Sequence, residues 1–160
     1  MKNSDIIIYT DGSSRGNPGP GGYGIVMEHC KTGFVKEYSK GFKLTTNNRM
    51  ELMAVIEALK KLKQTNLKIT VYTDSKYVVD SIEKKWIFKW EKIKFKNKKN
   101  VDLWLEFLPL QEKHNIRFKW IKGHSDHPEN ERCDKLAVGA SKKENLFDDK
   151  GYNKNLNTLF

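Results

Sequence analysis

Two stretches of this chain run to the same ending: Asp5-Ile6-Ile7-Ile8-Tyr9-Thr10-Asp11 and Leu67-Lys68-Ile69-Thr70-Val71-Tyr72-Thr73-Asp74. Each is a short β-branched and aromatic run closing on Thr-Asp, with Gly or Ser next as a turn signal. A hairpin and a helical stretch lie between them, a crossover long enough to make the two runs parallel neighbours. Asp11 and Asp74 then share one sheet edge, about 5 Å apart. Like charges that close repel unless one takes a proton or a cation lies between them. The repeat thus points at once to an α/β sheet and to a cation site on its edge.

The rest of the chain reads, coarsely, β-β-β-α-β-α-α-β-α. Strands are expected at 5–11, 23–30, 34–42, 67–73 and 116–121. The first helix comes after Thr45-Thr46-Asn47, with Leu52, Val55, Ile56, Leu59 and Leu62 forming a stripe of 3.6-residue period. Ser75 can cap a second helix carrying Tyr77, Val78, Val79 and Ile82. Two more are expected at 101–113 and 131–141, the former kinked or ended early by Pro109. Gly19-Pro20-Gly21-Gly22-Tyr23-Gly24 formally matches a dinucleotide-binding fingerprint, but Tyr23-Gly24-Ile25-Val26-Met27 reads as a strand where that motif needs a helix. Residues 1–141 make one domain. From 142 to 160 the sequence is polar and aperiodic, which predicts a loose C-terminal tail.

The 160 residues carry 30 Lys+Arg against 20 Asp+Glu, a net charge of +10 that favours an anionic partner, nucleic acid first. Residues 84–100 concentrate it. Eight lysines there face one acid, Glu91, and Trp86, Phe88, Trp90 and Phe95 interleave with them. A solvated charge run rarely carries so many large rings, whereas a strand-gripping surface does. Cys30 and Cys133 stand far apart with no framework around them, which fits reduced thiols in the cytoplasm. No run approaches the ~18 apolar residues of a membrane span, and the chain is expected to be a soluble monomer.

Two further acids join the first pair. Glu51 stands one position before the apolar stripe of the first helix, and Asp134 lies close to Leu136 and Ala137 of the last. Either alone is explained by the helix macrodipole. Four anions converging on one sheet edge are not, because unpaired they would cost several kcal/mol. Oxygen ligands with no Cys or His cluster imply Mg²⁺, with Mn²⁺ as the alternative.

Tyr9-Thr10-Asp11-Gly12-Ser13, Thr46-Asn47-Asn48-Arg49-Met50-Glu51-Leu52, Thr73-Asp74-Ser75 and the stretch from Lys122-Gly123-His124 through Glu129-Asn130-Glu131-Arg132-Cys133-Asp134 resemble, in order and spacing, the signature segments of bacterial type 1 ribonuclease H. The resemblance covers about residues 5–141. It implies the ribonuclease H-like fold: a five-stranded mixed sheet, three strands antiparallel and then two parallel, flanked by helices. It also implies Mg²⁺-dependent endonucleolytic hydrolysis of the RNA strand of an RNA–DNA hybrid, with no small-molecule cofactor. Asp11, Glu51, Asp74 and Asp134 would be the metal ligands and His124 the proton carrier. Asn17, Asn47 and Asn48 would read the minor groove, where the 2′-hydroxyl marks RNA. Thr46 and Asn100 would hold a phosphate of the DNA strand. The lysine-rich segment matches the family's basic protrusion, with Trp86, Trp90, Lys92, Lys94, Lys96 and Lys98 as expected contacts.

A phosphodiester already carries a negative charge, so attack on it needs cations at the nonbridging oxygen and the leaving group. Two metals supply both and leave 5′-phosphate and 3′-hydroxyl ends. Four carboxylates favour this route over paired histidines acting with the RNA's own 2′-hydroxyl. The sequence departs from the family at Lys76, where Gln is common, and at Leu44, where a basic residue is common. Two other classes stay open on sequence alone: a resolvase- or integrase-type nuclease of the same fold, and a catalytically silent hybrid-binding module.

Overall fold

The computed structural model describes residues 4–123 and 127–157, with side chains through 153. Its elements are β1 (Ile6–Ser14), β2 (Gly19–His29), β3 (Val35–Thr45), α1 (Asn47–Lys60), β4 (Lys68–Thr73), α2 (Lys76–Glu83), α3 (Trp86–Lys92), α4 (Val101–Glu112), β5 (Asn115–Trp120), α5 (Pro128–Ser141) and α6 (Lys150–Asn157). The five strands form one sheet in the order β3-β2-β1-β4-β5. The β1/β2 and β2/β3 pairs are antiparallel, and β1/β4 and β4/β5 are parallel. Thr10 pairs with Thr73, so the two Thr-Asp endings stand level on the same edge.

Partners across a ladder project to one face, and successive residues to opposite faces. Ile8, Val71 and Phe118 are cross-strand partners on the same face. They meet Leu52 and Ile56 of α1 and Trp104 and Phe107 of α4 in the main core. The α5 helix lies on the opposite face, over β1, β2 and β3. It comes so close that a Cβ on Gly22 or Gly24 would strike the carbonyls of Ala137 and Cys133. The Gly19–Gly24 run is therefore a strand made thin enough for a helix to rest on it.

Sequence expectations are corrected in three places. Pro109 neither ends nor breaks α4. Pro109 is exposed, and the turns before it are fixed by buried Trp104, Phe107 and Leu108. The lysine-rich segment opens with a helix, α3, whose Ile87 is fully buried.

The third correction concerns the C-terminal tail, which is not loose where it is described. Phe147 bridges to Phe42 on the edge of β3, and Asp149 leads into α6 from a buried position. The contact that fixes it is Arg49, 1% exposed. Arg49 donates from Nε and Nη2 to Asp149 at 2.7 and 2.9 Å, and from Nη1 and Nη2 to Asp102 at 2.8 and 2.7 Å. Thr45 Oγ1 adds a 2.7 Å bond to Asp149. A buried guanidinium needs such partners, and a polar tail can supply one. Among the described residues, no helix is long and apolar enough to cross a membrane.

Candidate active site

Four elements bring the carboxylates together. Asp11 sits in β1, Asp74 directly after β4, Glu51 in the second turn of α1 and Asp134 in α5. Gly12 lets this happen. A Cβ there would overlap the backbone of Met50 and Glu51, so only glycine allows α1 to lie this close to β1. Thr46 caps α1 by accepting from the Arg49 N–H at 3.3 Å, and Ser75 caps α2 by accepting from Val78 N–H at 3.2 Å. Both helix starts are thereby fixed beside the sheet edge.

One carboxylate oxygen each from Asp11, Glu51 and Asp74 lie within 4.8 Å of one another. Asp11 and Glu51 are buried and Asp74 is half-buried. Burial, then the charges of Asp74 and Asp134, push the Asp11 carboxyl up to about 8, against a 2.9 Å bond from the Gly12 N–H to its Oδ1. Burial and the charges of Asp11 and Asp74 raise Glu51 well above the usual carboxylate range. Glu51 Oε1 is buried and accepts no hydrogen bond among the described residues.

Buried acids that repel one another, one with an idle oxygen, are an unstable arrangement for anions alone. They are a fitting one for a hard divalent cation. Asp134 stands against Asp11, as their mutual interaction requires, but outside the tight group of three.

His124 lies outside the described residues. Gly123 just before it abuts the cluster: a Cβ there would meet Asp74 Oδ2 at 2.8 Å. Asn47 and Asn48 are exposed on the first turn of α1, and Asn17 Oδ1 accepts the Asn47 N–H at 3.0 Å. These three amides thus flank the helix that carries Glu51. Asn100 precedes α4 in the left-handed region without a side-chain capping bond, and its Oδ1 accepts from Arg49 Nη1 at 3.4 Å. Thr46 is spent partly on its cap. Lys76 is exposed, its ammonium 4.7 Å from the centre of the Trp120 ring.

The protrusion divides into two roles. Lys92, Lys94, Lys96 and Lys98 are exposed, whereas Phe95 is buried and Trp90 packs on Trp104 with ring centres 6.1 Å apart. Trp86 is 38% exposed and remains available as a contact.

Sequence reasoning missed Trp120 and Tyr77. The Trp120 indole N–H donates to the Asp74 carbonyl at 3.0 Å, fixing the backbone that presents Asp74. Tyr77 Oη accepts from both Asn100 Nδ2 and Trp104 Nε1. Their signal was faint: a Trp closing the fifth strand beside Lys-Gly-His, and a Tyr on an otherwise aliphatic helix.

A mixed sheet with a cluster of acids on the carboxyl edge of its central parallel strands defines a class of α/β proteins whose carboxylates could hold a metal ion. The family model described as RNase H matches residues 3–142, and the chain belongs to the ribonuclease H family. It is 54% identical over 147 residues to the Ribonuclease H of Desulforamulus reducens, covering 89% of this chain and 91% of that protein. It is 53% identical over 156 residues to that of Trichodesmium erythraeum, covering 94% and 98%.

Among solved structures it resembles LC9-RNase H1, a type 1 RNase H with the type 2 active-site motif. That match has a TM-score of 0.77 at 32% identity over 88% of this chain and 74% of that one. LC11-RNase H1, solved in complex with an RNA/DNA hybrid, matches with a TM-score of 0.67 at 29% identity, covering 84% and 95%.

Proposed function

We propose that this chain is a Mg²⁺-dependent endonuclease that hydrolyses the RNA strand of RNA–DNA hybrids by the two-metal route, leaving 5′-phosphate and 3′-hydroxyl ends. The observation that carries the reading is the tight group of Asp11, Glu51 and Asp74 oxygens with its mutual repulsion. These three, with Asp134 alongside, would hold the cations, and oxygen donors alone select Mg²⁺, or Mn²⁺ in its place. When bound, divalent cations lower the pKa of water and offset the charge that builds on the phosphoryl oxygens and the leaving group.

The chain's own residues orient the reaction. The Gly12 N–H holds Asp11, and Trp120 holds the backbone of Asp74. His124 takes the proton-transfer role, which an imidazole can serve as donor or acceptor. Asn17, Asn47 and Asn48 meet the 2′-hydroxyls and base edges of the minor groove, which sets which phosphate reaches the acids. Thr46 and Asn100 grip a DNA-strand phosphate, and the exposed lysines of the protrusion add backbone contacts. Lys76 contributes a charge where a relative would offer an amide.

The test is a cleavage panel of hybrid, single-stranded RNA, duplex RNA and duplex DNA, each with Mg²⁺, Mn²⁺ or chelator. Cutting confined to the RNA of the hybrid, dependent on the cation and leaving 5′-phosphates, is the expected result. Comparable cutting of duplex DNA would assign a resolvase-like activity, and binding without cutting would make the chain a silent hybrid reader.

A further inference from the structure

The outer face of β4 and β5 carries charge that the carboxylate site does not use. Thr70 pairs with Arg117 and Tyr72 with Lys119, so all four project away from the core face of Val71 and Phe118. The α5 helix rests on β1, β2 and β3. Farther along the sheet Lys68 and Arg117 are exposed, and Lys119 and Tyr72 half-exposed. A cleft of about 210 Å³ opens there, lined by Ser4, Lys68, Thr70, Asn115, Arg117 and Lys119.

Among the described residues, three cations and no acid line this cleft, and none of the three cations has an ion-pair partner. Asp5, at the rim, accepts the backbone N–H of Lys68 at 2.8 Å. The hydroxyls of Ser4 and Thr70, 2.7 Å apart, and the Asn115 amide add neutral donors. Ammonium, guanidinium, hydroxyl and amide groups without a carboxylate are the donor set for phosphate oxygens.

The row does not stop at the cleft. Tyr72 comes next, stacked on Tyr9 with ring centres 5.3 Å apart, and Asp74 stands at the strand's end. Thr70 and Asp74 are four strand residues apart, roughly 13 Å. Cations and rings aligned along one track are how sequence-tolerant single-strand grooves are built.

We infer that this face binds the backbone phosphates of a single strand continuing out of the hybrid, so that the protein favours hybrids bearing unpaired extensions. A free phosphate would satisfy the same donors but would leave the tyrosine pair without a role. The inference goes beyond the cleavage reading, and cutting of a blunt hybrid by the unaltered protein checks that reading separately.

The test is fluorescence anisotropy of the full chain with a short blunt hybrid and with the same hybrid carrying a single-stranded extension. Divalent cations are omitted to prevent cleavage. The wild type should bind the extended hybrid about tenfold more tightly, with a log–log salt slope steeper by roughly 1.4 for two single-strand phosphates. The double variant Arg117→Gln/Lys119→Gln should bind both hybrids alike, at the wild type's blunt affinity, and should cut the blunt hybrid normally once Mg²⁺ is restored.

Equal losses on both hybrids would mean that the face grips duplex, and no loss on either would make it a solvated surface; each overturns the inference. Inorganic phosphate shifting the Arg117 Nε–H resonance at lower concentration than a single-stranded oligonucleotide would assign the cleft to free phosphate and overturn it as well.

Discussion

At the scale of single residues, the site is defined by acids that the metal-free fold does not favour as anions. Asp11, pushed up to about 8, and Glu51, also raised, each bind a proton more tightly folded than unfolded. Their contribution to stability is therefore fully present below the unfolded carboxylate range near pH 4 and is lost as pH rises toward about 8. Urea unfolding in chelator should show the wild type losing stability across that window relative to Asp11→Asn. The variant should be equal or more stable by ~1 kcal/mol at pH 8, yet inactive on hybrid. Parallel stability profiles would contradict the repulsion. Replacing His124 with Ala should slow turnover by roughly 10- to 100-fold with hybrid affinity nearly unchanged, as for a proton carrier. A loss as complete as that of Asp11→Asn would instead make it a ligand.

Among elements, the C-terminal segment and the protrusion show how local pattern and tertiary burial divide the work. Removing Asp149 leaves the Arg49 charge paired with Asp102 but strands its buried Nε donor. Asp149→Ala should therefore lower stability by ~1–3 kcal/mol at neutral pH in urea unfolding, and a change under ~0.5 kcal/mol would mean the segment is not docked on Arg49. Hydrogen bonds and charge from Arg49 overcome burial to hold the Asp102 carboxyl below its usual range. Its contribution is present above the unfolded carboxylate range and is lost as pH falls below about 4.

None of this was legible along the chain. The Arg49–Asp149 contact spans 100 residues, and the only local hint was an arginine near the buried stripe that begins at Leu52. The Thr-Asp strands and the capped helix starts, by contrast, are short-range patterns and could be read directly. In the protrusion, rings that sequence alone read as contacts divide between packing and exposure. Trp90→Ala should cost a few kcal/mol of stability, whereas Trp86→Ala should cost affinity with stability intact. Changing Lys92, Lys94, Lys96 and Lys98 to Ala should flatten the salt dependence of hybrid binding by roughly 2 to 3.5 in log–log slope, about 0.9 per contact. An unchanged slope would reduce these lysines to solvated charge.

Taken as a whole molecule, the protein places one acidic cluster within a strongly basic body. A net charge of +10 favours anionic partners in general, so on the proposed reading discrimination has to come from groups that sense the 2′-hydroxyl beside the acids. On the proposed reading Asn17, Asn47 and Asn48 are those groups, since Asn17 Oδ1 accepts the Asn47 N–H at the start of α1. Order along the chain carries no direct sign of this convergence, since Asn17 and Asn47 are 30 residues apart and meet only through the fold.

The most direct measurement maps cleavage on duplexes whose RNA strand is replaced by deoxyribonucleotides except for a short internal run of ribonucleotides, with Mg²⁺ present. Cutting should vanish in the all-deoxy strand and return only within or beside the ribonucleotide run, leaving 5′-phosphate ends. Cleavage of the all-deoxy duplex at a comparable rate would contradict the assignment of this site to the RNA strand of hybrids.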